Sequence, residues 1–421
     1  MQLAALCTDP FVLSCTVLCL LLNLALRRSL LHPSASGRWS GRPRTPGWQR
    51  WPAASTSSAP ARSPTGPASA ATRPDACSAA SPVVVPELLV CALANIVGQI
   101  TVSKRVFDAQ GDESNSYKDM IVSLLTGAGL FNISDFVPAL ARLDLQGVQA
   151  KLRRIHLQFD ALITKLLEEH AATAEERARE GREDFVDKLR ASMDDDEEGE
   201  TITEINIKGL IFDMFTAGTD TSSIIVEWAL AEMVKNPSVM ARAQEELDRV
   251  VGRGRRLEES DLPNLPYLQA VCKEAMRLHP STPLSLPHFA FDACDDVDGY
   301  HVPANTRLLI NIWAIGRDPD TWEAPLEFRP ERFMPGGKAA GVDPLGNYFE
   351  LIPFGAGRRI CAGKLAGMVF VQYFLGTLVH AFDWRLPDGE VKLDMAETFG
   401  LALPKAVPLR AVVTPRIAPE A

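Results

Sequence analysis

Near the C-terminus the chain reads Pro353-Phe354-Gly355-Ala356-Gly357-Arg358-Arg359-Ile360-Cys361-Ala362-Gly363, followed by an apolar, helix-like stretch over residues 364–380. The glycines let backbone approach a flat partner closely, and Phe354 offers an aromatic face to pack against it. Cys361 stands at the start of the following helix, where the dipole and the free N–H groups favour negative charge. Those N–H groups can also donate to the sulfur and tune a metal–thiolate bond. Arg359, two residues earlier, can hold an anionic group beside the cysteine. A lone cysteine is ordinarily a small buried hydrophobe. In the pattern Phe-x-x-Gly-x-Arg-x-Cys-x-Gly, with five positions at set spacing, it reads instead as the axial ligand of an iron centre.

Working back from that loop, Thr201-Ile202-Thr203-Glu204 reads as a capping box, and a helical pattern runs on to about Val234 with Pro237 beyond its end. Some 30 residues make a helix of roughly 45 Å, long enough to cross a domain. In its middle stands Ala217-Gly218-Thr219-Asp220-Thr221-Ser222, where polar residues and a glycine cost helix stability. Thr221 can donate to the carbonyl four residues back and open the helix locally. Asp220 beside it is expected to share in delivering the protons that reduction of dioxygen consumes. Alone, this segment would pass as an exposed polar patch; the cysteine loop makes the proton relay the better reading.

Two further segments belong together. Lys273-Glu274-Ala275-Met276-Arg277 places Glu274 and Arg277 on one helix face, and Phe328-Arg329-Pro330-Glu331-Arg332-Phe333 supplies a second arginine in a proline-pinned loop. On a surface such a pair is worth little. A buried Glu274 carboxylate bridging Arg277 and Arg332 would lock that loop beside the cysteine segment. These three residues are expected to be structural rather than catalytic.

Composition bounds the rest. At 46% hydrophobic and 23% charged residues, the 421-residue chain is globular, and its net charge of −10 excludes a general nucleic-acid binder. Its eight cysteines include no CxxC pair, which fits a reducing compartment. Helical patterning from Glu87 onward, with a strand-rich patch over residues 300–311, predicts a mainly α fold with small β-sheets. Within that patch residues 303–306 read as a turn between a strand at 300–302 and one at 307–311. The acidic run 194–200 reads as a solvated loop.

The N-terminus differs. Residues 11–26 are apolar, and with residues 3–6 they reach membrane-spanning length. Arg27 and Arg28 follow directly, which predicts an uncleaved anchor over residues 1–31 with the remainder on the cytoplasmic side. A cleaved signal peptide would carry its positive charge before the apolar run. Residues 32–82 contain no Leu, Ile, Val, Met, Phe, Tyr or Lys, and Ala, Ser, Pro and Gly supply 34 of the 51 positions. Such a stretch cannot bury a core. The domain division is therefore an anchor at 1–31, a low-complexity segment at 32–86 with the composition of GC-rich sequence read out of frame, and a folded domain at 87–421.

Ala217-Gly218-x-Asp220-Thr221, Glu274-x-x-Arg277, Pro330-Glu331-Arg332-Phe333 and the Cys361 loop, in that order, resemble the signature set of plant microsomal cytochromes P-450. The resemblance implies the cytochrome P-450 haem-domain fold, here N-terminally incomplete, and haem b with Cys361 as axial thiolate. Phe354, Gly357, Arg359 and Gly363 would stand around the haem. It further implies O2 as co-substrate, NADPH used indirectly through an NADPH-cytochrome P-450 reductase, and an endoplasmic-reticulum membrane anchor. Residues 116–156, 305–319, 375–386 and 399–403 resemble the flavonoid 3′,5′-hydroxylases, which implies a flavonoid substrate. At Ala402 the related 3′-hydroxylases carry Thr, and a smaller residue leaves room for a B-ring already bearing one hydroxyl. By the same resemblance Leu284 and Leu286 lie on the substrate side, and His288 stands where relatives place an arginine facing a haem propionate.

The departures lie near the N-terminus. Family members have a proline-rich hinge, a sheet and several helices where this chain has the low-complexity segment, including a Trp-x-x-x-Arg motif facing a propionate. Four residues beyond Trp39, Trp48 and Trp51 stand Pro43, Pro52 and Ser55, so that motif is missing. The rival readings are a flavonoid 3′-hydroxylase, a terpenoid hydroxylase, a haem-thiolate isomerase or dehydratase, and a remnant that binds no haem. The isomerase class usually lacks the helix threonine, whereas Thr221 is present.

Overall fold

One helix organises the core. In the computed structural model, which describes residues 82–130, 132–193, 202–387 and 392–417, helix α6 spans Glu204–Lys235. It is preceded by α1 (Val85–Val102), α2 (Asp112–Ala128), α3 (Val148–Ala172), α4 (Ala174–Glu180) and α5 (Phe185–Ala191). It is followed by α7 (Pro237–Val250), α8 (Pro266–Leu278) and α9 (Lys364–Ala381). The N-cap of α6 is Thr203, whose hydroxyl accepts from the Asn206 N–H at 3.4 Å while Asn206 Oδ1 accepts from the Thr203 N–H at 2.9 Å. The capping box thus falls two residues later than Thr201 and Glu204, with Asn in place of Glu. At the other end the Asn236 side chain donates to the Glu232 carbonyl and Pro237 opens α7.

Burial along α6 changes character. Its first half is amphipathic, burying Ile207, Ile211 and Phe215, whereas every residue from Ser222 to Met233 is buried. A helix enclosed on all sides serves as the axis of a core. The first half joins α1, α2, α3 and α5 in one hydrophobic cluster, knit by edge-on contacts of Tyr117 with Phe159 and Phe215. The second half joins α7, α8 and α9 in another.

Two helices among the described residues, Val85–Val102 and Lys364–Ala381, are long and apolar enough to cross a membrane. Both belong to these clusters: α1 buries Leu89, Leu93 and Ala94, and α9 buries Val371, Leu375 and Val379. The anchor predicted at residues 1–31 lies outside the described residues, as do nearly all of the low-complexity segment and the acidic run 194–200.

The strands are short. β1 (Val83–Val84), β7 (Arg410–Pro415) and β6 (Phe382–Arg385) form an antiparallel sheet in that order, so the fold takes in residues 83–86, on the far side of the boundary drawn from composition. The strand-rich patch is built otherwise than expected. β4 (Tyr300–Val302) pairs with β3 (Cys294–Val297), while β5 (Thr306–Leu308) pairs with β2 (His288–Ala290). Asn305, at φ 62°, turns the chain away between them, so β4 and β5 are neighbours in sequence without being partners.

Where α3 gives way to α5, the ligand atoms of His170, Asp184 and Asp187 lie within 4.8 Å of one another. A cation does not fit among them, because the Arg177 guanidinium already stands there. It donates to Asp187 at 2.8 and 2.9 Å and to His170 Nδ1 at 3.0 Å. The cluster ties α3, α4 and α5 into one corner.

Candidate functional site

The cysteine loop owes its shape to two glycines. Gly355 and Gly357 take φ 73° and 70°, in the left-handed region that costs other residues about 1–2 kcal/mol. The turn closes through Gly355 N–H to the Ile352 carbonyl at 2.9 Å and Cys361 N–H to the Phe354 carbonyl at 2.9 Å. Residues Gly357–Arg359 make one tight helical turn, and α9 begins only at Lys364, three residues after the cysteine. The N–H of Cys361 is engaged in closing the loop, and the helix expected to begin at the cysteine begins three residues beyond it. Phe354 lies against Gly367 of α9, where a Cβ would come within 3.2 Å of the ring. Gly363 stands close to the thiol, since a Cβ there would be 3.9 Å from Sγ. Cys361, Arg358 and Arg359 are all exposed, next to an apolar Leu365 that is itself 65% exposed.

The middle of α6 is loosened as its sequence suggests. Thr221 Oγ1 donates to the Ala217 carbonyl at 2.6 Å, and Thr216 and Thr219 back-bond in the same way to Phe212 and Phe215. Ala217 is exposed and Thr221 half-buried, whereas Asp220 is buried on the other side. Being consecutive, the two side chains point about 100° apart around the helix, and no hydrogen bond joins them. Burial pushes the Asp220 carboxyl up to about 7, against a small opposing pull from Lys118 on α2. Two turns further along the same face, Glu227 is also pushed up to about 7 by burial, although its Oε1 accepts the Leu409 N–H at 2.7 Å. Sequence reasoning missed Glu227; its only signal was the i, i+7 spacing from Asp220.

These raised values carry a sign. A buried acid whose folded pKa exceeds its unfolded one contributes stability below the unfolded value, and loses it as pH rises through the folded value. We expect Asp220→Asn to lessen the loss of stability between pH 4 and 8 by an amount on the order of 2–4 kcal/mol, with Glu227 making a separate contribution of the same sign. Thermal unfolding of both proteins across that range checks it, and identical pH profiles would contradict it.

The structure brings Glu274, Arg277 and Arg332 together in the interior, all under 9% exposed. Arg277 pairs with Glu274 through two bonds of 2.8 Å, and Arg332 Nε donates to Glu274 Oε1 at 3.0 Å. The Arg329 N–H adds a fourth bond to the same carboxylate at 2.8 Å. The remaining guanidinium donors reach the carbonyls of Gly316, Glu323, Pro325 and Glu327. Both guanidiniums also stand over the Trp322 ring, at 5.2 and 5.9 Å.

The remaining candidates sit apart from this network. His288 opens β2, and its Nδ1 must donate to the Leu286 carbonyl at 2.8 Å, which leaves Nε2 as the ring's other polar atom. Leu286 is 60% exposed and Leu284 half-buried, either side of Ser285 at φ 58°. Ala402 is only 4% exposed, in a small cluster with Ile224 and Trp228 of α6.

These residues fit a haem. An exposed thiol on a glycine loop is the donor of a thiolate-ligated iron. Arg358 and Arg359 beside it suit carboxylates, and exposed apolar surface on α9 and on the middle of α6 suits a flat macrocycle.

Residues 71–408 match the sequence model of the family described as Cytochrome P450. A flavonoid 3′,5′-hydroxylase of Eustoma exaltatum subsp. russellianum is 60% identical over 336 residues, covering 80% of this chain and 65% of the relative. A second, from Petunia hybrida, is 58% identical with the same coverage. A flavonoid 3′-monooxygenase of Arabidopsis thaliana is 48% identical over 80% of this chain and 66% of its own length. This chain thus spans a little under two thirds of these relatives. Among solved structures, a zebra fish cytochrome P450 with progesterone is similar at TM-score 0.64 and 28% identity, over 80% of this chain and 72% of that one.

Proposed function

The chain belongs to the cytochrome P450 family, and on that premise we propose that it is a haem-thiolate monooxygenase hydroxylating the flavonoid B-ring at the 3′ and 5′ positions. The observation that carries the chemistry is Cys361, exposed on its glycine loop just before α9, with exposed Arg358 and Arg359 three and two positions earlier in the same loop. The substrate class is supported by identity that is higher to 3′,5′-hydroxylases than to a 3′-monooxygenase.

When bound, the haem supplies activation of dioxygen with electrons that come from NADPH through a reductase. Cys361 would hold the iron, Phe354 would cover the loop side, and Arg359 and His288 would donate to the propionates. Thr221 would hold a proton at Oγ1 towards the exposed face of α6. Asp220, poised near neutrality, would exchange protons from the buried side; because the two face differently, that exchange needs either a rotation of Asp220 or bridging water. Glu274, Arg277 and Arg332 would act as the structural lock of the proline loop. Residues 1–31 would anchor the protein in the endoplasmic-reticulum membrane with the haem domain in the cytoplasm.

Ala402 provides the test of substrate class. Its side chain is packed against Ile224 and Trp228, so the extra atoms of a threonine must displace either this cluster or the substrate. Microsomes holding the protein, a reductase and haem should convert a flavanone bearing only a 4′-hydroxyl on the B-ring to a trihydroxylated product. Ala402→Thr should cut the ratio of trihydroxylated to dihydroxylated product about tenfold, the equivalent of ~1.4 kcal/mol of lost fit. A protein that never forms the trihydroxylated ring would contradict the proposal.

A further inference from the structure

The loop that carries Ala402 is held by a buried polar cluster that the catalytic reading does not use. At its neck, Glu397 and Lys405 pair as an isolated bridge, and the Thr398 N–H donates to the Pro404 carbonyl at 2.9 Å. At its tip, the Leu401 N–H donates to Leu125 at 3.1 Å and the Leu403 N–H to Ser281 at 2.9 Å. Gly129 permits the first of these contacts, because a Cβ there would overlap the Leu401 amide. Ala402 sits between the two tip bonds.

His279, which follows α8, is 6% exposed and joins this loop to the central helix. Its Nε2 lies 3.0 Å from Glu232 Oε1 on α6, and its Nδ1 lies 3.5 Å from Glu397 Oε1 at the loop neck. The ring stacks on Trp228 with centroids 4.1 Å apart and planes within 2°. Trp228 is fully buried and donates from Nε1 to the Leu403 carbonyl at 3.0 Å. With one face of the indole under the imidazole, the Lys405 ammonium, 4.5 Å from the ring centroid, is left the other. Burial alone would raise both acids, but the bond from His279 Nε2, aided by Lys235, holds Glu232 below the usual carboxylate range, and the nearby His279 ring, with Arg317 and Trp313, does the same for Glu397. Two anionic carboxylates, one on α6 and one on the loop, therefore converge on a single imidazole whose orientation Trp228 sets.

We propose that His279 is a positioning residue for substrate selectivity: held between Glu232 and Glu397 and seated on Trp228, it fixes residues 398–405 against α6 and thereby sets the space beside Ala402. The inference rests on the reading of Ala402 as substrate-side.

The test uses the full chain as His279→Phe, which keeps a ring on Trp228 and removes both nitrogens, and as Glu397→Gln, which neutralises the loop end of the clasp. Amide exchange at Leu401 and Leu403 should quicken at least tenfold in His279→Phe and to a smaller extent in Glu397→Gln. Exchange in α9 and in the loop 354–361 should stay as in the parent. With a 4′-hydroxyflavanone, KM should rise about tenfold while kcat changes less than twofold. Unchanged exchange at Leu401 and Leu403 overturns the proposal, as does exchange that quickens throughout α6 and α9. Local quickening with KM unmoved also overturns it. In that last case Ala402→Thr separates the causes: if it shifts the products, the clasp has failed; if it is silent as well, the substrate-side reading of the loop has failed.

Discussion

Cys361→Ser is expected to abolish the strongly red-shifted Soret band of the reduced, carbon-monoxide-treated protein while leaving the polypeptide folded. The band depends on a thiolate pushing electron density through the iron, and a serine hydroxyl does not supply it. The fold should survive because the side chain is exposed and the loop closes through backbone alone, Cys361 N–H to Phe354 and Gly355 N–H to Ile352. Stability of the haem-free protein should therefore move by no more than about 0.5 kcal/mol, as for other surface substitutions. A difference spectrum on haem-supplied microsomes and a thermal melt of purified protein read the two halves separately. A serine variant that keeps the band would remove Cys361 as the iron ligand. A parent chain without the band would instead identify the protein as the haem-free remnant.

The second large effect is on stability. Glu274→Gln is nearly isosteric, yet it leaves Arg277 and Arg332 as buried cations without their shared counter-charge. Removing one partner of such an interior network costs about 3–5 kcal/mol, because the charges left behind have already given up their water. Carbonyls of Glu323, Pro325 and Glu327 still accept from the two guanidiniums, so the loop should loosen before the helices do. The contrasting substitution is Glu175→Gln, whose partner Arg179 stands 3.9 Å away with both side chains more than three-quarters exposed. That pair should contribute less than about 0.5 kcal/mol. Urea denaturation of the two variants beside the parent decides it. Equal, small losses would mean that the Glu274 cluster is not a lock.

The sequence by itself determined the parts of this protein that short-range physics writes. Glycines at set spacing before Cys361 let backbone come close to a partner, so the cysteine loop was legible, while the left-handed turns at Gly355 and Gly357 were seen only in the structure. A mid-helix threonine has one convenient acceptor four residues back, so the Thr221–Ala217 bond was legible. An arginine three residues beyond a glutamate shares its helix face, and the proline-pinned Arg332 was the evident third member. Tertiary structure decided whatever depends on which side of an element meets which neighbour. It turned Asp220 inward and Thr221 outward on one helix, buried Glu227 beside them, and paired β5 with β2 instead of with the adjacent β4. It also set His279 between carboxylates from α6 and from a loop more than 100 positions further along the chain. No local spacing encodes such a meeting, because it exists only once separate segments have excluded water from the same core and their charged groups must find partners inside it.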